Sequence, residues 1–102
     1  MVREIEEQRV ALEALCRRFQ VRRLELFGSA VGETFDEESS DLDFIVEFDD
    51  GPANGYADAY FGLAEALKDL FHRNVDLVVL SAVKNPYLRE SIERSRTLLY
   101  AA

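Results

Sequence analysis

Asp41 and Asp43 stand two residues apart in Asp41-Leu42-Asp43-Phe44, where charged and apolar side chains alternate. In an extended strand this spacing sends both carboxylates to one face and Leu42 and Phe44 to the other. Two like charges held that close destabilise each other unless a proton or a cation intervenes, and an all-oxygen pair suits a hard divalent ion such as Mg²⁺ or Mn²⁺. A third carboxylate, Asp76, interrupts the apolar run Val75 to Leu80 and shares its strand face with Val78 and Leu80. Unpaired inside a buried strand it would be costly. If the two strands are neighbours, Asp41, Asp43 and Asp76 meet on one sheet face and can hold two metal ions, which suits in-line phosphoryl or nucleotidyl transfer. Gly28-Ser29, where another apolar run stops, adds a turn at which backbone amides and a hydroxyl can approach phosphate, and a triphosphate is the expected ligand.

Each signal has a plainer reading when taken alone. Gly-Ser at a strand end is commonly a turn, Asp-x-Asp a solvated edge, and Asp76 a strand-entry residue paired with Arg73 or capping a neighbour. The functional reading rests on their conjunction.

The remaining sequence supplies elements able to position these residues. Apolar Ile5, Leu12, Leu15, Cys16 and Phe19 recur at helical spacing from Val2 to Phe19. Val21 to Phe27 reads as a strand ended by Gly28. Residues 29–40 read as a loop, and Asp41 to Phe48 as a second strand. After a turn over 49–55, Tyr56, Tyr60, Leu63, Leu67 and Leu70 form the stripe of a second amphipathic helix, ending near His72 to Asn74. Val75 to Leu80 reads as a strand buried on both faces. Asn85 and Pro86 resemble an N-cap and first helical position, opening a helix to about Arg94, and Thr97 to Tyr100 closes the chain as a strand. The expected fold is α/β: a mixed sheet of about four strands covered by helices, in one domain spanning residues 1–102.

Composition narrows the function classes. A chain that is 48% hydrophobic and 31% charged reads as a globular protein, with no apolar stretch near the ~18 residues of a membrane span. Met1 to Gln8 lack the apolar core of a secretory signal, so a cytoplasmic location is expected. The net charge of -8 disfavours a long nucleic acid and leaves Mg²⁺-accompanied nucleotides compatible. Lone Cys16 lies on the first helix's apolar stripe and reads as core.

The segment FGSAVGETFDEESSDLDFIVEF, followed downstream by VDLVVL, resembles the minimal nucleotidyltransferases of the polymerase-beta superfamily, and the chain's end, VKNPYLRESIERSRTLLYAA, is similar to the close of their short members. The resemblance implies a polymerase-beta-like fold in which Asp41 and Asp43 ligate two Mg²⁺ ions. Asp76 would bind one of them and help deprotonate the attacking hydroxyl, while Gly28 and Ser29 hold the triphosphate of ATP. It also implies an antitoxin that adenylylates a tyrosine on a helical HEPN ribonuclease toxin. Transfer to a small molecule such as an aminoglycoside, or stoichiometric occlusion of the partner without catalysis, are the alternatives. Many relatives carry a basic residue just after the serine, where this chain has Ala30 and Val31, and eleven residues separate Ser29 from Asp41.

Other residues receive structural readings first. Arg22, Arg23 and Lys84 could supply the missing cation but read as solvated charges. His72 reads as helix-terminal charge or surface. Tyr56, Tyr60, Phe61 and Phe71 read as core. Tyr87, Leu88, Ile92 and Tyr100 could form a partner interface, with ordinary core as the competing reading.

Overall fold

The computed structural model describes residues 3–28, 41–49 and 55–102, apart from the side chains of Tyr56 and Leu80. The expected 29–40 loop and most of the 49–55 turn lie outside the described residues. The elements are α1 (Arg3–Glu7), α2 (Arg9–Arg18), β1 (Val21–Phe27), β2 (Leu42–Phe48), α3 (Tyr56–Phe71), β3 (Val75–Val79), a 3₁₀ turn (Leu80–Ala82), α4 (Pro86–Ser95) and β4 (Thr97–Ala101). The first expected helix is thus two helices that meet at Gln8. Backbone bonding continues through the junction, because Gln8 N–H donates to the Glu4 carbonyl at 3.1 Å and Leu12 N–H to that of Gln8 at 2.8 Å.

The strands form one mixed sheet in the order β3-β2-β1-β4. β1 pairs antiparallel with both β2 and β4, whereas β2 and β3 run parallel. Parallel neighbours require a long crossover, and α3 lies in the one joining β2 to β3. Asn85 starts α4 as its sequence suggests: its side-chain oxygen accepts from the Tyr87 amide at 2.9 Å.

Alternation along the strands divides the sheet into unequal faces. Leu24, Leu26, Leu42, Phe44, Val46 and Leu77 join Ile5, Leu12, Cys16, Leu63, Leu67 and Phe71 in the main core beneath α1, α2 and α3. Gly62 lets α3 approach α2 closely, since a Cβ there would lie 2.6 Å from a Phe19 ring carbon. Cys16 is fully buried, and burial pushes its thiol up to about 12, so it packs without reacting at neutral pH. Phe27, Ile45, Val83 and Ile92, with partly buried Val78, make a smaller cluster on the other face. β3 departs from expectation: it is an edge strand, and Asp76 on it is exposed. Its apolar residues are covered mainly from the α3 side.

The smaller face also buries a charge. Glu25 is 2% exposed, and Arg96 grips both of its oxygens, Nε to Oε2 at 2.6 Å and Nη2 to Oε1 at 2.8 Å. Arg23 donates to the same carboxylate and Glu93 accepts from Arg96. The Arg96 hydrogen bonds hold the Glu25 carboxyl below its ordinary range, outweighing the burial that pushes it up. Its ionised pairing therefore stabilises the fold at neutral pH and is lost as pH falls through the carboxyl's depressed range. Breaking one side strands a buried charge, whereas removing both leaves apolar packing. Arg96→Ala should cost roughly 2–4 kcal/mol in urea unfolding, and Glu25→Leu with Arg96→Leu should restore most of that loss. A single variant no less stable than the double would show that the pair has no such role.

Candidate active site

Three strand ends converge at one edge of the sheet. Phe27, the last residue of β1, pairs with Asp43 of β2, which pairs in turn with Asp76 of β3. Leu42 N–H donates to the Asn74 carbonyl at 3.1 Å, joining the starts of β2 and β3. Leu42, Phe44 and Leu77 enter the main core, so alternation turns Asp43 and Asp76 to the opposite face, above Ile45 and Val78. Asp41 immediately precedes β2 and is exposed, Asp43 is half-buried, and Asp76 is exposed.

Gly28 follows β1 with φ +78°. A Cβ added there would sit 2.6 Å from Asp43 Oδ2, so glycine meets both a left-handed backbone and the close approach of a carboxylate. Its amide points inward and donates to Ser95 Oγ at 2.9 Å. The Gly28 N–H is therefore already engaged within the protein. Ser29, the second residue expected there, lies outside the described residues, as do Ala30 and Val31.

Electrostatics distinguish this edge from an ordinary solvated surface. Burial, the Asp76 charge, a hydrogen bond with Asp76 and the Asp41 charge together push Asp43 up to about 6. Among the described residues no group of three or more His, Cys, Asp or Glu closes on a common metal position. The structure instead brings together a pair, Asp43 and Asp76, with Asp41 near enough for its charge to act on Asp43. An oxygen-only pair of like charges fits a hard divalent cation.

Three arginines among the remaining candidates have structural partners. Arg22 pairs with Asp49 and Glu47, Arg23 with Glu25, and Arg73 donates to Glu4 at 2.7 Å. His72 is exposed and caps α3 in a left-handed conformation, its amide donating to Lys68 O at 2.8 Å. Tyr60 donates to the Leu77 carbonyl and Phe71 is buried, but Phe61 is 66% exposed, correcting its assignment to the core. Ile92 is core, whereas Tyr87 is 81% exposed and Leu88 38%. Glu25, Ser95 and Arg96 were not legible as site supports, because their partners lie about 70 residues away in sequence.

A model of the nucleotidyltransferase domain matches residues 9–99. The chain belongs to the nucleotidyltransferase domain family. This nucleotidyltransferase is similar to two Methanocaldococcus jannaschii proteins named as protein adenylyltransferases, at 40% identity over 76 residues and 38% over 77, each match spanning 74% of both chains. It is also similar to a solved minimal nucleotidyltransferase, with TM-score 0.73 and 31% identity over 91% of this chain and 90% of that one. A toxin-antitoxin structure with AMP-PNP shares the fold, with TM-score 0.65 and 24% identity over 99% of this chain and 75% of that one. So does the complex of tri-AMPylated Shewanella oneidensis HEPN toxin with MNT antitoxin, with TM-score 0.64 and 22% identity over 95% and 72% of the two chains. The mixed four-stranded sheet with its helices is the fold of these neighbours. Among the described residues no helix is long and apolar enough to cross a membrane.

Two outcomes follow from the site. Because the folded state holds the Asp43 proton more tightly than the unfolded chain, the metal-free protein should lose stability as pH rises from about 4 to about 6. Asp43→Asn removes that penalty: without metal its melting temperature should exceed wild type by a few degrees at pH 7.5, about 1 kcal/mol after solvent screening, and match it below pH 4. Equal melting at both pH values would contradict a strained carboxylate pair. Gly28→Ala must strain its backbone or turn Asp43 aside, so nucleotidyl transfer should fall at least tenfold, on the order of the 1–2 kcal/mol cost of that backbone. Unchanged transfer in steady-state assays would show that the edge tolerates the displacement.

Proposed function

We propose that this chain is a protein adenylyltransferase that acts as an antitoxin, transferring AMP from ATP to a tyrosine hydroxyl of a helical HEPN-type partner. The observation that carries the reading is the Asp43–Asp76 pair beside Gly28 at one sheet edge of a nucleotidyltransferase. The relatives named as protein adenylyltransferases and the fold shared with an antitoxin bound to an AMPylated toxin support a protein acceptor.

On this reading the chain acts in the cytoplasm as a single catalytic domain and meets its acceptor on the partner. Asp41, Asp43 and Asp76 would hold Mg²⁺, two ions in full, and the chemistry supplied there would be neutralisation of charge on the transferred phosphoryl group and departing pyrophosphate. Gly28 and Ser29 receive the triphosphate. Asp76, exposed at the sheet margin, meets the acceptor hydroxyl and helps remove its proton. The acceptor oxygen bonds to the α-phosphorus as the bond to pyrophosphate breaks, and positioning supplies much of the acceleration.

Purified chain incubated with labelled ATP, Mg²⁺ and the HEPN-type partner should label that partner, and chelation of the metal should abolish labelling. Asp41→Ala with Asp43→Ala, and Asp76→Ala alone, should each reduce labelling by a factor on the order of 10² or more. Tight partner binding with no label would instead assign a purely stoichiometric antitoxin.

A further inference from the structure

The site edge is braced by the junction of α4 and β4. Ser95, the last residue of α4, receives the Gly28 amide on its hydroxyl oxygen at 2.9 Å and donates its own proton to the Ser91 carbonyl at 2.9 Å. The hydroxyl thus has one fixed orientation, with its proton committed to the helix and a lone pair facing Gly28. Ser95 cannot drift, because the next residue, Arg96, is fastened to buried Glu25, three residues before Gly28 on β1. Two adjacent residues of the junction therefore secure two points near the end of β1, on either side of Leu26 and Phe27, both buried.

We propose that Ser95 is a positioning residue for nucleotide binding, fixing the Gly28 peptide against Asp43 before ligand arrives. The role rests on the reading of Gly28 and Ser29 as the triphosphate turn. Three features support it. Gly28 has a left-handed conformation that only a few residue types adopt readily, so an anchor decides which of its many accessible conformations is occupied. The anchor reaches across 67 residues of sequence, from the helix that covers the site face rather than from a local turn. Gly28 also lies against Asp43, so releasing its amide frees the backbone beside the site carboxylate. Supporting groups of this kind act by lowering the ordering a ligand must impose.

The test compares Ser95→Ala, which removes the acceptor, with Ser95→Thr, which keeps a hydroxyl. Affinity for AMP-PNP with Mg²⁺ is measured by calorimetry, transfer kinetics with the HEPN-type partner, and exchange of the Gly28 amide by NMR. Ser95→Ala should weaken AMP-PNP binding about fivefold, the scale of one lost hydrogen bond. It should raise the KM for ATP in proportion, change kcat less than twofold, and speed Gly28 amide exchange at least tenfold. Ser95→Thr should restore all three. Unchanged affinity in a folded Ser95→Ala chain would overturn the proposal, as would equal losses in both variants, which would mark Ser95 as packing alone. Failure of the wild-type chain to label its partner would overturn the adenylyltransferase reading, leaving Ser95 to be judged on affinity and amide exchange.

Discussion

Parallel pairing of β2 with β3 puts Asp43 beside Asp76, and the fold gives neither residue an easy retreat. Asp43 is flanked by Leu42 and Phe44, and Asp76 is followed by Leu77, all locked in the main core. Turning the Asp43 backbone away from its neighbour would unseat both flanking side chains, each worth about 1.5–3 kcal/mol of burial. The core on one face thus enforces repulsion on the other. Burial, with that repulsion added to it, pushes Asp43 up to about 6, and an edge of crowded carboxylates suits a cation.

The two faces carry different loads. The face beneath α1, α2 and α3 supplies most of the apolar burial, including the stacked Phe44 and Phe71 rings at 6.1 Å between centroids. The opposite face has a small apolar cluster and the Glu25–Arg96 ion pair. A buried pair of this kind is weak evidence for stability, since desolvation offsets much of the attraction. Its geometry is more informative: a carboxylate gripped at both oxygens fixes the angle at which β4 leaves α4, and hence where Ser95 meets Gly28. A hydrophobic pair would pack there without specifying direction as closely.

Much of this arrangement was legible in sequence because strand alternation is a strict rule. Leu42 and Phe44 had to oppose Asp43, and Val75, Leu77 and Val79 had to oppose Asp76, whatever the strand order. The caps were also legible: Asn85 and Pro86 announce α4 through local chemistry. Periodicity fails where partners are distant. Val75–Val79 looks the same in sequence whether it is central or lies at an edge half-covered by helix, and only the strand order shows that Asp76 is exposed. Likewise Glu25 reads as one polar position on β1 until Arg96 arrives from 71 residues away. Phe61 adjoins the buried stripe of α3 yet projects outward, because a residue neighbouring Tyr60 and Leu63 in sequence is turned by about 100° per position around the helix.

Exposure across the site gives the proposed reaction a direction. Gly28 and Asp43 sit at the paired ends of β1 and β2, inside the sheet, whereas Asp76 is carried by the margin strand. A nucleotide held by the Gly28 turn would lie over strands braced on both sides, where small misplacements are resisted and in-line geometry is preserved. An acceptor belonging to another protein has the opposite requirement, since its hydroxyl must arrive attached to a bulky body. A carboxylate on an edge strand can meet such a hydroxyl without its carrier having to enter a cleft. On the proposed reading, the donor side is the rigid side and the acceptor side the open one, which is the division expected when the second substrate is itself a folded protein.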